Sequence, residues 1–224
     1  AASLKPLLHE ETCVVSLSNG IEASDHLERV LGAGPVVGGL CHSFSLVLAP
    51  GHVQNYGSPL QIEFGELGGG PSPRLDRLAA AFKGTNIQAT VSADIHLGLW
   101  TKLLTVGVNT GMGAATRRPV GVWRSPPETR RLAQQAMDEI VAVGTALGVA
   151  FPAATKEHVW ALWDGMSPGA TTSIQRDLVE GRPSELDAVL GAVVRAGAAA
   201  GVATPVVGFL HSVLLPQERA ARGQ

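Results

Sequence analysis

IHLGLWTKLLTVGVNTGMGAAT, residues 95–116, carries a single Lys, Arg, Asp or Glu, and that residue is Lys102. The run is too long for a strand and reads as one apolar helix. Its length invites comparison with a membrane span. Lys102 near its centre, with His96, Asn109 and four glycines, argues against one. Lysine is almost never fully buried unless paired. An ammonium on such a helix either snorkels to water or meets a carboxylate, and its pKa can be moved toward catalytic use.

This run divides the chain. Upstream of about residue 90, strand and helix signals alternate. AASLKPLLHEE reads as a helix end and a turn, and CVVSLSNG as a short buried strand running into Asn-Gly. SDHLERVLG is a short helix with Ser24 as candidate N-cap. Two or three strand-like runs follow between Val36 and Leu67, with Pro-Gly and Tyr-Gly turns. RLDRLAAAFKG is a helix ended by Lys-Gly.

From residue 91 onward the strand signal disappears. Ser92 is the candidate cap of the Lys102 helix, and RRPVGVWRSPP is a break. PETRRLAQQAMDEIVAVGTALGV is an amphipathic helix with Pro127 near its first position, Glu128 in its first turn and Gly148 near its end. Further helices are expected near 154–165, 171–180, 185–200 and 205–214. The expected architecture is α/β over 1–90, followed by an all-α part over 91–224.

The 224 residues suffice for a sizeable core. Hydrophobic residues make up 45% and charged residues 16%, so most of the chain packs. A net charge of −2 without a basic block argues against nucleic acid or a membrane surface as partner. Cys13 and Cys41 fit neither a disulfide framework nor a zinc site and read as buried free thiols. The scattered histidines give no metal site. With no basic-then-apolar start, the expectation is a soluble cytoplasmic protein.

The clearest candidate for chemistry is SIQRDLVEGRPSELD, residues 173–187. A polar helix ends at Gly181, and Pro183 and Ser184 open another whose first turn holds Glu185 and Asp187. The plain reading is helix-start chemistry, with Ser184 as N-cap and acids behind it. The sharper reading turns Glu185 inward to meet Lys102, a pairing that can hold a proton donor beside a carbonyl. Ser173 and Asp177 share one helix face, where a hydroxyl can bind a carboxylate. Asn19-Gly20 is a plain turn or, since strand ends in open α/β sheets face the ligand crevice, part of a binding site. GAGPVVGG, 32–39, leads from a helix into a strand, the reverse of a dinucleotide fingerprint, and GELGGGPSP lacks its spacing. The four tryptophans read as core, and there is no G-x-S-x-G elbow.

SLSNG, WTKLL, SIQRDLVEGRPSELD and GVATP, in this order and at these intervals, resemble the ketopantoate reductase (2-dehydropantoate 2-reductase) family to about residue 215. The 173–187 run is the specific part. The resemblance implies the end of a Rossmann-type NADPH-binding domain over 1–90 and a helical domain like that of 6-phosphogluconate dehydrogenase over 91–224. It implies reduction of ketopantoate or a related 2-keto acid, in pantothenate and coenzyme A biosynthesis, and leaves a homodimer open. Lys102 matches the catalytic lysine that protonates the ketone oxygen. Glu185 matches the acid that orients it and binds the substrate hydroxyl. Asn19, with Gly20, matches the turn near nicotinamide and substrate, and Ser173 the serine that contacts the substrate carboxylate. Many members carry Asn four and eight residues after the lysine. Here those positions are Val106 and Thr110, with Thr110 the expected substrate contact. The family's G-x-G-x-x-G strand–helix turn and its 2′-phosphate reader are absent from these 224 residues, so the chain is expected to begin inside the cofactor domain. The alternative is a non-catalytic remnant serving as a helical binding or dimerisation module.

Overall fold

The computed structural model describes residues 1–43, 45–56 and 60–224. The expected Tyr-Gly turn runs into residues 57–59 and lies partly outside them. The chain divides into two compact units, one of Ala1–Ser18 with Glu22–Leu99, the other of Asn19–Ile21 with Trp100–Gln224. The division near 99/100 falls later than the 90/91 boundary read from the sequence, because the first residues of the long helix, Ile95–Leu99, cluster with the strands.

The first unit opens with a 3-10 turn, Ala2–Leu7, followed by β1 (Val14–Val15) and α1 (Ala23–Leu31). Then come β2 (Val36–His42), β3 (Ser45–Ala49), β4 (His52–Asn55), β5 (Gln61–Gly65), α2 (Pro73–Ala81) and β6 (Gln88–Val91). One sheet has the order β1-β2-β5-β6, and β3-β4 form a separate hairpin. The sheet is mixed: β1 runs parallel to β2, β5 antiparallel to β2, and β6 parallel to β5. The sequence reading missed β6, which is only four residues long and mostly exposed. It also expected a buried first strand. β1 keeps only two paired residues, both half-buried, because it lies at an edge of the described sheet.

Val37, Ile62, Phe64 and Leu75 form the core of this unit, where α2 covers the sheet. Cys13 and Cys41 pack against it half-buried rather than buried as expected, and neither is in a disulfide. Ser24 is not the cap of α1: the helix starts at Ala23 with Glu22 at the N-cap, and Ser24 is buried inside it. Ser72 caps α2 through Leu75 N, with Pro73 at the first helical position.

The long helix, α3 (Ile95–Thr116), begins in the first unit and runs on through the second. Asp94, not Ser92, caps it by accepting from Leu97 N at 3.1 Å. Ser92 instead donates to Glu63 Oε1. Leu103, Leu104, Val108 and Met112 are all buried, as an apolar helix with little amphipathic bias requires.

The second unit continues with α4 (Val120–Trp123), α5 (Pro127–Ala146), α6 (Thr155–Gly165), α7 (Ser173–Val179), a π-helical turn at Asp187–Gly191, α8 (Ala192–Ala200) and α9 (Pro205–Ala221). The expected break at 117–127 holds the short α4. Three of the four tryptophans are buried: Trp100, Trp123 and Trp163. Trp163 meets Trp123 and Trp160 edge-on, at 5.4 and 5.0 Å between ring centroids. Arg130 stacks on the half-buried Trp160 at 3.8 Å. The Glu139 carboxylate accepts from Val206 N and Val207 N, both at 2.8 Å, and so caps α9, whose Thr204 supplies no side-chain cap. Among the described residues, no helix is long and apolar enough to cross a membrane.

Candidate active site

The turn after β1 belongs with the helical unit rather than with its own strand. Residues Asn19–Ile21 cluster with Trp100–Gln224. Gly20 explains how. Its φ is +96°, and a Cβ there would clash with the carbonyl oxygen of Ala188. Only glycine lets the turn seat this closely against the π-helical turn. The turn also places Asn19 beside the acid of the charged motif: Asn19 Nδ2 donates to Glu185 Oε2 at 2.7 Å.

The other acids of the motif are engaged away from Asn19. Arg182 bridges Asp177 at 2.7 Å and also reaches Glu180. Asp187 receives Arg195 at 3.0 Å, and His211 Nε2 lies 3.3 Å from its Oδ1. That His–Asp approach has ion-pair distance without hydrogen-bond geometry, so Nε2 still counts among the buried nitrogens lacking a hydrogen bond. Glu185 is the acid of the run that joins Asn19, and it remains exposed. Ser184 is not the N-cap of the following helix, which falls at Leu186 without a side-chain cap; its Oγ makes only a local contact, accepting from Leu186 N at 3.2 Å. That helix begins with a π-helical turn, an irregularity that often marks functional sites and that no sequence signal announced.

Lys102 is half-buried on α3. Thr110 lies two turns further along and about 80° around the same helix. Its side chain is fully buried, and its Oγ1 finds no hydrogen-bond partner among the described residues. Ser173 is the first residue of α7 and exposed; Thr172 caps that helix instead, accepting from Gln175 N at 3.1 Å. Asn19 and Glu185 are thus in direct contact, and Lys102, Thr110 and Ser173 stand in the same compact unit. Sequence reading overlooked Glu218, a buried carboxylate on α9 with both oxygens on Ser184 N. No motif flagged it, since QERAA has the polarity of a frayed helix end.

Neither glycine cluster forms a pyrophosphate cradle. Gly32 terminates α1, and the chain then enters β2. Gly69 and Gly70 have positive φ and precede α2. The Glu66 carboxylate already occupies the start of that helix. Ser72 Oγ and the Arg74 guanidinium both donate to it, and Arg74 also reaches the carbonyls of Gly34 and Val36. The Arg74 hydrogen bond holds the Glu66 carboxyl below its ordinary range, and Glu66 raises the Arg74 guanidinium in return. A carboxylate fixed there repels a phosphate. Neither glycine cluster of the described residues therefore fits a dinucleotide's pyrophosphate.

Residues 94–218 match the family described as "Ketopantoate reductase PanE/ApbA C terminal", and residues 1–69 match "Ketopantoate reductase PanE/ApbA". The chain belongs to the ketopantoate reductase family. It is an oxidoreductase of the 2-dehydropantoate 2-reductase type. A 2-dehydropantoate 2-reductase of Mesorhizobium japonicum is 27% identical, over 91% of this chain and 68% of that protein. The crystal structure of a PanE/ApbA family ketopantoate reductase from Ralstonia eutropha JMP134 superposes with a TM-score of 0.88 at 27% identity, covering 98% of this chain and 71% of that one. A D-mandelate dehydrogenase in complex with NADH gives a TM-score of 0.87 at 23% identity, over 97% of this chain and 74% of that one, and shares the fold. The ketopantoate reductase fold is thus common to chains named for different acids.

Proposed function

We propose that this ketopantoate reductase family member takes part in the NADPH-dependent reduction of 2-dehydropantoate, or a related 2-keto acid, to the 2-hydroxy acid. The observation that carries the reading is the Asn19–Glu185 hydrogen bond, which joins the turn after β1 to the acid of the family motif. A reduction of this type adds a hydride to the keto carbon and a proton to the keto oxygen. NADPH supplies the hydride when bound.

The residues of this chain handle the proton and the substrate. Lys102 is assigned as the proton donor: its ammonium polarises the carbonyl and gives up a proton as the oxygen gains charge. Glu185 orients that ammonium and accepts from the substrate hydroxyl, and Asn19 fixes the carboxylate of Glu185. Ser173, exposed at the start of α7, binds the substrate carboxylate. Thr110 contributes its unspent hydroxyl. Asn19 and Gly20 form the nicotinamide end of the site.

The test is NADPH oxidation with a panel of 2-keto acids, comparing the wild-type chain with Lys102→Ala. Loss of turnover in the variant supports the assignment, and unchanged turnover overturns it.

A further inference from the structure

Ser184, the residue before the acid assigned to the reaction, is held on every side. Its N–H donates to both oxygens of Glu218, each at 3.0 Å, and its hydroxyl donates to Glu218 Oε2. Its carbonyl accepts from Arg222 Nη2 at 2.7 Å. Arg222, the C-cap of α9 and one helical turn beyond Glu218, in turn donates its Nε–H to Glu218 Oε1 at 2.6 Å. Glu218 is only 3% exposed and Ser184 only 7%.

A carboxylate is expensive to bury, and one whose purpose was packing would be replaced by an apolar side chain at little cost. Here it meets the amide and hydroxyl of one residue and a guanidinium. That arrangement fixes both peptide planes flanking Ser184. The second of those planes also contains the amide nitrogen of Glu185, so the clamp restricts the direction in which Glu185 leaves the backbone. Beyond it, Glu185 is exposed, and its side chain reaches Asn19. The segment from Gly181 to Glu185 has no helical hydrogen-bond ladder of its own to supply this restraint.

We propose that Glu218, with Arg222, is a positioning residue that aims Glu185 at Asn19 by clamping Ser184. The functional weight of this inference rests on the reading of Glu185 as part of the reaction; the geometry stands apart from it.

The experiment observes the side-chain amide of Asn19 by NMR in the full 224-residue chain labelled with 15N-asparagine. Glu185→Ala identifies the Asn19 signal and gives its position without the acceptor. In Glu218→Gln, an amide replaces one acceptor oxygen, and the Asn19 signal is expected to move toward its position in Glu185→Ala. A folded Glu218→Gln protein with the wild-type Asn19 signal overturns the proposal. Arg222→Gln decides where Glu218→Gln fails to fold, because it removes the guanidinium at a half-exposed position: a moved signal supports the clamp and an unmoved one overturns it. Turnover of Glu185→Gln is scored separately. Unchanged turnover there defeats the catalytic reading of Glu185 and leaves the Asn19 result to decide the clamp.

Discussion

Asn19 and Glu185 are 166 positions apart, and a 2.7 Å hydrogen bond joins them. Gly20 is the condition for that contact, because its backbone lies against the carbonyl of Ala188 with φ at +96°. Gly20→Ala is expected to destabilise the second unit by roughly 1–3 kcal/mol, the scale of one strained left-handed residue. Urea unfolding measures the loss, and the Asn19 side-chain amide signal is expected to shift with it. A variant as stable as wild type, with that signal unmoved, contradicts the close approach.

A positioned general acid contributes roughly 10²- to 10⁴-fold to rate. Lys102→Ala is expected to lower kcat within that range while changing NADPH affinity little, since the side chain is assigned to the substrate oxygen. Glu185→Gln keeps the size of the side chain and one carbonyl oxygen to accept from Asn19. It is expected to lower kcat less than Lys102→Ala and to weaken discrimination among 2-keto acids.

The Glu66–Arg74 pair makes the first unit sensitive to acid. The folded-state carboxyl of Glu66 is lowered, chiefly by the hydrogen bond from Arg74. The unfolded chain therefore binds this proton more readily than the folded one does. The pair's contribution is complete above the ordinary carboxylate range and is lost as pH falls through the lowered folded-state value. Urea unfolding from neutral to acidic pH is expected to show a drop in wild type that is smaller in Glu66→Gln. Equal pH dependence in both proteins contradicts this account.

Glu139 satisfies two N–H groups at the start of α9. Truncation to Ala leaves them without that acceptor, and a lost cap costs about 1 kcal/mol, up to ~2. Chemical denaturation of Glu139→Ala is expected to show a loss of this size. Amide exchange at Val206 and Val207 is expected to quicken first, because the start of α9 loses its acceptor while the packed middle of the helix does not.

Much of the architecture was legible because it follows from short-range rules. The apolar run at 95–116 announced its helix, and Pro127 and Glu128 marked the start of α5. The local pattern failed where neighbours in space decide. Ser92 and Ser24 looked like caps, but Asp94 and the backbone at Glu22 take those places. β6 is a strand because β5 pairs with it, not because four mostly exposed residues demand it. α9 runs past the expected end near residue 214 to Ala221, with Glu218 buried against Ser184.

The candidate site divides in the same way. The sequence by itself determined the residue types at the motif positions: one lysine on an apolar helix, an acid behind Ser184 and an asparagine after a strand. These are properties of order and spacing along one chain. Only the tertiary structure decided which acid of the 173–187 run joins Asn19. It decided this because Arg182 draws Asp177 and Arg195 draws Asp187, while Glu218 and Arg222 clamp the residue before Glu185. A carboxylate's role depends on the donors that reach it through space, and those donors lie on other elements of the fold.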